Sequence, residues 1–204
     1  MSEEPDARRV PSSEGRSATR EKGSRFYGFA APAPSGPAAE SRLGILRREF
    51  HDATHVPFAW RIGTGAASSR RRSDAGEPSG TAGAPIAAAI DGSGLTDVVV
   101  AVVRYFGGTK LGTGGLARAY RRAAEEALAA CGRMTVYETA RIEVRFPFDR
   151  IGTVRRLLRP PEVRAVEERF TTEAMIVMEV RWSRLQELLT ELDKRRISYQ
   201  ICDL

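Results

Sequence analysis

The run Val98-Val-Val-Ala-Val-Val103 contains no polar residue and is rich in β-branched side chains. A strand with one wet face alternates polar and apolar positions, so an unbroken run of this kind belongs to a strand covered on both faces. The chain must therefore build a sheet with this strand at its centre. What flanks the run narrows the fold further. Twelve of the 19 glycines fall between Gly63 and Gly115, most of them in two ordered blocks. Ser73-Asp-Ala-Gly-Glu-Pro-Ser-Gly-Thr-Ala-Gly83 precedes the run, and Arg104-Tyr-Phe-Gly-Gly-Thr-Lys-Leu-Gly-Thr-Gly-Gly-Leu116 follows it directly. Glycine loses more backbone entropy on folding than any other residue, so this clustering implies positive φ angles or a close backbone approach.

The 204 residues, 42% hydrophobic and 28% charged, suffice for one large domain or two small ones with buried cores. No apolar run approaches the roughly 18 residues of a membrane helix, so no membrane partner is expected. Basic residues outnumber acidic ones 32 to 26, a net charge of +6 that favours polyanionic partners such as RNA and equally serves solubility. Residues 1–21 are polar and charged without an apolar segment. They read as a disordered tail and not as a secretion signal, which places the protein in the cytoplasm. Cys131 and Cys202 lack a second pair, the pattern of small core residues and not of a disulfide framework or a zinc site.

Periodicity predicts a strand over 25–30, a helix over 38–50 with Glu40 or Ser41 near its start, and a strand over 54–62. Residues 63–72, with Arg70, Arg71 and Arg72, read as an exposed hairpin tip or loop. A short helix follows Pro85, then the central strand, then a long helix over 114–131. Its buried stripe is Leu116, Tyr120, Ala123, Ala127 and Cys131, with Arg118, Arg121, Arg122 and Glu125 on the wet face. Beyond a boundary near Glu138 come a strand (139–146), a helix (149–158), two strands (162–170 and 173–181), a helix opened by the capping box Ser183-Arg-Leu-Gln186, and a last strand (198–204). That order is the split βαβ arrangement of a ferredoxin-like domain. The expected division is a tail over 1–21, an N-terminal domain over 22–136 and a ferredoxin-like domain over 139–204. The alternative is one continuous sheet through both halves.

Nucleotide motifs can be tested letter by letter. Gly107-Gly-Thr-Lys-Leu-Gly112 is followed by Thr113 where a Walker A loop needs lysine. Gly112-Thr-Gly-Gly-Leu-Ala117 satisfies G-x-G-x-x-A, but residues 106–111 intervene after the strand and no acidic ribose ligand follows at the right spacing. The physics of an anion site survives: free N–H groups around Gly112, Gly114 and Gly115, with Lys110 and Arg104 near them, favour phosphate or carboxylate. Alternatively, the glycines only let the helix pack closely on the strand. The two histidines, His51 and His55, lie in no metal-binding pattern, and no nucleophile elbow or zinc-protease motif occurs. No catalytic set, metal or cofactor is therefore expected. Asp74, Glu77, Ser79, Thr81, His55 and Lys110 would converge if the loops fold over one edge; otherwise Asp74 and Glu77 bond backbone N–H groups in a rigid turn.

Asp52-Ala-Thr-His55, Ser73-Asp74 with Gly76-Glu-Pro-Ser-Gly-Thr-Ala-Gly83 and Pro85-Ile86, and Arg104 to Gly112 with Gly114-Gly-Leu116 and Arg118-Ala-Tyr120 closely resemble the signature of the YigZ/IMPACT family. Order and spacing agree over residues 20–132. The resemblance implies an α+β chain. Its N-terminal half would be the two-layer α/β sandwich of the ribosomal-protein domain-2 type, shared with domain IV of elongation factor G. A C-terminal ferredoxin-like domain would follow, in agreement with the periodicity. It also implies a translation-associated regulatory protein without demonstrated chemistry. Ala75, Val56-Pro57-Phe58 and Arg121 depart from the usual pattern, which weakens any acidic pair at 74–75 as a chemical site.

Two functional expectations result. One is contact with the ribosome, other RNA or a translation-regulatory protein through Arg70, Arg71, Arg72, Lys110, Arg118 and Arg122. The other is a sensor or enzyme for a small anion, phosphorylated ligand or nucleotide, with Lys110 as clamp and Asp74 or Glu77 as base or metal ligand.

Overall fold

A computed structural model describes residues 5–203, which divide into two units: residues 8–135, and residues 136–203 together with 5–7. Strands β1 (Ala7–Val10), β2 (Gly15–Glu21) and β3 (Ser24–Pro32) precede α1 (Gly36–Glu49). Then come β4 (Phe58–Ile62), β5 (Ser69–Ser73), α2 (Gly83–Ser93), β6 (Val98–Tyr105), α3 (Gly112–Ala130) and β7 (Met134–Tyr137). The apolar run is the body of β6, and β6 is the middle strand of the antiparallel sheet β2-β3-β6-β4-β5. Each residue from Val98 to Val103 is at most 4% exposed. Helices α2 and α3 form one layer over the face bearing Val98, Val100 and Val102, through Ile86, Ile90, Leu116 and Tyr120. On the opposite face α1 places Leu43 and Leu46 among Val99, Ala101 and Val103. Ser35 starts α1, its Oγ accepting from Ala38 N at 3.3 Å, with Pro37 in the first turn, so the helix opens ahead of Glu40 and Ser41.

The expected disordered tail is overturned where the chain is described: residues 7–10 and 15–21 are strands, while residues 1–4 lie outside the described residues. β2 is an edge strand lying under α3. A Cβ at Gly15 would stand 2.2 Å from Ala127 O, and Ser17 Oγ donates to Ala123 O at 2.7 Å. A strand that meets a helix backbone through glycine and serine carries no apolar alternation, so its sequence looks like a tail. The arginine segment differs from expectation for a related reason. Arg70, Arg71 and Arg72 sit on β5, which pairs with β4 from Ser73 opposite Phe58 to Ser69 opposite Ile62, as an exposed edge strand that needs little apolar content. β4 itself begins at Phe58; before it, His55 makes an isolated bridge to Arg104.

The second unit runs β8 (Thr139–Phe146), α4 (Ile151–Arg155), β9 (Val163–Phe170), β10 (Ala174–Arg181), α5 (Trp182–Lys194) and β11 (Ser198–Asp203). The sheet order β11-β8-β10-β9 is that of a ferredoxin-like fold. Ile142, Val144, Ile176, Met178 and Val180 meet Leu185, Leu188 and Leu192 of α5 in one core. The expected helix over 149–158 shrinks to a 3-10 turn, Phe148–Arg150, and the five residues of α4. Its end tightens through i to i+3 bonds at Leu157 and Leu158, as expected just before the pair Pro160-Pro161. The capping box also gives way. Ser183 N and Oγ both donate to Asp6 Oδ2, at 3.0 and 2.7 Å, so a buried aspartate from the start of the chain caps α5. Burial raises the Asp6 pKa, but the two bonds from Ser183 and the Arg181 charge outweigh it and hold the carboxyl below its ordinary value.

Candidate functional site

Strand β6 brings Arg104 to the end of the central strand. There its N–H donates to His55 O at 2.9 Å, and its side chain turns inward, leaving the residue 5% exposed. The first glycine block folds under it. Asp74 Oδ1 accepts from Ala82 N and Gly83 N at 3.0 and 2.8 Å, and Oδ2 from Gly80 N at 2.9 Å. Asp74 thus closes the loop and caps α2. Burial raises its pKa, but the bonds from Gly80, Gly83 and Ala82 together with the Arg72 charge win, and the carboxyl titrates below its ordinary value. Thr81 Oγ1 donates to Pro78 O at 2.6 Å and Glu77 N to Asp74 O at 3.1 Å. The loop so fixed presents the Glu77 side chain, 3% exposed, to Arg104 Nη1 at 2.5 Å.

Glu77 is the hub of a buried cluster. Its Oε1 also accepts from the Tyr120 hydroxyl at 2.6 Å and lies 3.9 Å from His55 Nε2, while His55 Nδ1 lies 2.9 Å from Ala75 O. Burial first, then the Glu77 hydrogen bond and charge, push the Tyr120 pKa far above its ordinary value, so the phenol remains a donor. The Arg104 guanidinium is held between two rings, 5.6 Å from the centroid of Phe26 and 5.5 Å from that of Phe106. The second glycine block is locked to the β2–β3 turn. A Cβ at Gly107 would fall 1.9 Å from Gly23 C, and Gly107 N donates to Ser24 Oγ at 3.2 Å.

Above this cluster lies a cleft of about 380 Å³ lined by His55, Glu77, Arg104, Phe106, Lys110 and the first turn of α3. Glu77 and Arg104 neutralise each other. Lys110 is exposed and makes no ion pair among the described residues. The Arg118 guanidinium, also unpaired there, lies 3.5 Å from where a Cβ on Gly114 would stand. α3 has no side-chain cap and no acidic residue in its first turn, so its positive end is unopposed. The cleft is therefore neutral at its floor, with Lys110 and the start of α3 as the cationic part of its lining, and Arg118 outside it.

The structure gathers His55, Glu77, Arg104, Lys110 and Gly112 at one cleft, with Gly114, Gly115 and Arg118 on the adjoining first turns of α3. The other candidates are elsewhere or occupied. Asp74 and Thr81 hold the loop, which removes Asp74 from the roles of base and metal ligand, and Ser79 is exposed. Arg70 pairs with Asp91 and Arg71 with Glu40, each at 2.9 Å, beside a separate groove that also includes Arg72. Arg122 pairs with Glu126 along α3. Among the described residues no three His, Cys, Asp or Glu side chains are grouped to hold a metal. No described helix is long and apolar enough to cross a membrane. Sequence reasoning passed over Tyr120 as a functional group, reading it only as part of the core stripe. The available signal was a phenol in a stripe of otherwise small or apolar residues, since a buried Tyr hydroxyl requires a partner. Phe106 and Ser24 gave no such signal.

Residues 22–128 match the model of the Impact N-terminal domain. The chain is 44% identical over 144 residues to an IMPACT family member of Thermus thermophilus, covering 71% of this chain and 76% of that protein. It is 43% identical over 108 residues to the IMPACT family member YigZ of Escherichia coli, covering 52% and 53%. It also resembles a crystal structure of a hypothetical protein with a TM-score of 0.70 and 26% identity, over 98% of each chain.

Proposed function

The chain belongs to the IMPACT family, and on that premise we propose that it is a cytoplasmic, translation-associated protein that binds RNA, with the ribosome as its natural setting. The observation that carries this reading is the cleft mouth. Lys110, with no ion pair among the described residues, stands with the uncapped start of α3 beside the exposed ring of Phe106, and Arg118 lies further along the same helix, outside the cleft lining. An unpaired cation and a helix start next to an aromatic platform suit a flexible nucleic-acid strand, whose phosphates and bases they engage together. The basic excess of the whole chain adds long-range attraction. Arg70 and Arg71 contribute less, because carboxylates already neutralise them.

The test is cosedimentation with ribosomes and retardation of single-stranded RNA across a salt series. Each phosphate neutralised adds about 0.7 to the log-log salt slope. Lys110→Glu with Arg118→Glu should therefore flatten the slope by about 1.4 as well as weaken binding. A protein that neither cosediments with ribosomes nor retards RNA at low salt overturns the proposal.

A further inference from the structure

We propose that the cleft beneath the α3 N-terminus holds one ribonucleotide bearing a phosphate monoester, with the phosphate at Lys110 and α3, the base on Phe106 and a sugar hydroxyl at Glu77. The inference deepens the RNA-binding reading and rests on it for the choice of a ribonucleotide. Three separate features of the cleft carry it.

The first is charge. With Glu77 and Arg104 cancelling, Lys110 and the uncapped end of a 19-residue helix remain in the cleft lining, while Arg118 lies further along the helix and outside that lining. A phosphate monoester carries about −2 at neutral pH, and so gains more from Lys110 and the helix end than the single charge of a backbone diester does. The second is a buried acceptor with spare capacity. Glu77 is 8% exposed, and its Oε1 takes Arg104 and Tyr120. Among the described residues Oε2 has no hydrogen-bond partner, yet it is not among the fully enclosed polar atoms. Since Glu77 lines the cleft, that is where Oε2 meets solvent, and a carboxylate oxygen there selects a hydroxyl or amine donor. The third is the platform. Phe106 lines the same cleft and is 48% exposed, with Arg104 set against its ring. Pro78, Leu111 and Leu116 add apolar wall. A volume of about 380 Å³ lies within the range of small-ligand sites. Inorganic phosphate would leave Phe106 and Glu77 unused; a nucleoside would leave Lys110 and the helix end unused.

The experiment is calorimetric titration of the full chain with adenosine 5′-monophosphate, adenosine and inorganic phosphate. The monophosphate should bind at least tenfold more tightly than either fragment. Phe106→Ala and Lys110→Ala, both at exposed positions and both checked for an unchanged unfolding transition, should each weaken it about tenfold, an effect of the size expected for one stacked base or one lost charge contact. Equal affinity for the monophosphate and inorganic phosphate, or variants that bind like the parent, overturns the inference. Two RNA decamers differing only in a 5′-phosphate or 5′-hydroxyl identify the source. Tighter binding of the phosphorylated decamer than of the monophosphate supports an RNA end as the ligand, and equal binding supports a free nucleotide. If both decamers bind alike and the monophosphate does not compete, the inference falls while the RNA-binding reading stands. If neither RNA nor nucleotide binds, both fall.

Discussion

Within residues 8–135 the interior holds Ser24, Glu77, Thr81, Thr96, Asp97 and Arg104, whereas the unit of residues 136–203 with 5–7 buries only Asp6 among its described polar residues. The second unit keeps its charges outside, in pairs such as Arg145 with Glu143 along β8 and Arg164 with Glu179 between β9 and β10. It fills its core with aliphatic side chains and the Phe146 ring. Desolvating an ion pair costs about as much as its attraction returns, so an apolar core is the simpler route to stability. The first unit departs from that route at two places, at Asp97, which pairs with Arg8 at 3.0 Å and accepts from Gly63 N at 2.8 Å, and beneath the cleft. A buried charged cluster with an accessible oxygen is better explained by what it presents to the cleft than by what it adds to stability.

The comparison breaks most readily at Arg104. Arg104→Leu leaves Glu77 buried without its cation and should cost about 3–5 kcal/mol in urea unfolding, a loss felt by the first unit. Glu77→Gln combined with Arg104→Met should recover most of it; a single-variant loss below about 1 kcal/mol would mean the pair behaves like a surface bridge. Next, Tyr120→Phe removes a donor to a buried carboxylate, and roughly 1.5–3 kcal/mol should disappear. A neutral result would show that the Glu77 oxygen finds water instead.

In the second unit the matching probe is Asp6→Ala, which uncaps α5 at a cost of about 1 kcal/mol. The folded Asp6 carboxyl titrates below its ordinary 3.8. Its contribution is therefore fully present above that value and vanishes as the pH falls through the folded pKa. Parent and variant should differ at neutral pH and converge in acid; a gap that persists unchanged at about pH 2 would rule out a charged cap. The smallest stability effect is expected at the cleft mouth. Lys110→Glu and Arg118→Glu should move stability by no more than about 0.5 kcal/mol while weakening RNA binding, which would separate the working surface from the scaffold under it.

Much of the second unit is legible residue by residue. Ala140, Ile142, Val144 and Phe146 alternate along β8 as they do in the core, and β8 spans the residues that alternation predicts. β6 is equally plain, because its neighbours on both faces are apolar. β2 is not, because what it packs against is the backbone of α3, and glycine and serine serve that contact without an apolar signature. In the cleft, the glycine blocks marked the place and Lys110 the charge. Glu77 read as a base, a metal ligand or a turn residue and Arg104 as an anion contact, because nothing local distinguishes a charged residue facing a ligand from one facing its counter-ion.

The sequence by itself determined the central strand, the amphipathic stripe of α3, the family and the alternation of the ferredoxin-like sheet. Each of these is written in the period of side chains along a single element. Only the tertiary structure decided that Arg104 turns inward to Glu77, 27 residues away, and that Asp6 caps a helix 177 residues away. Pairings of that kind depend on which surfaces meet after folding, and the burial that makes them strong does not exist until they have met.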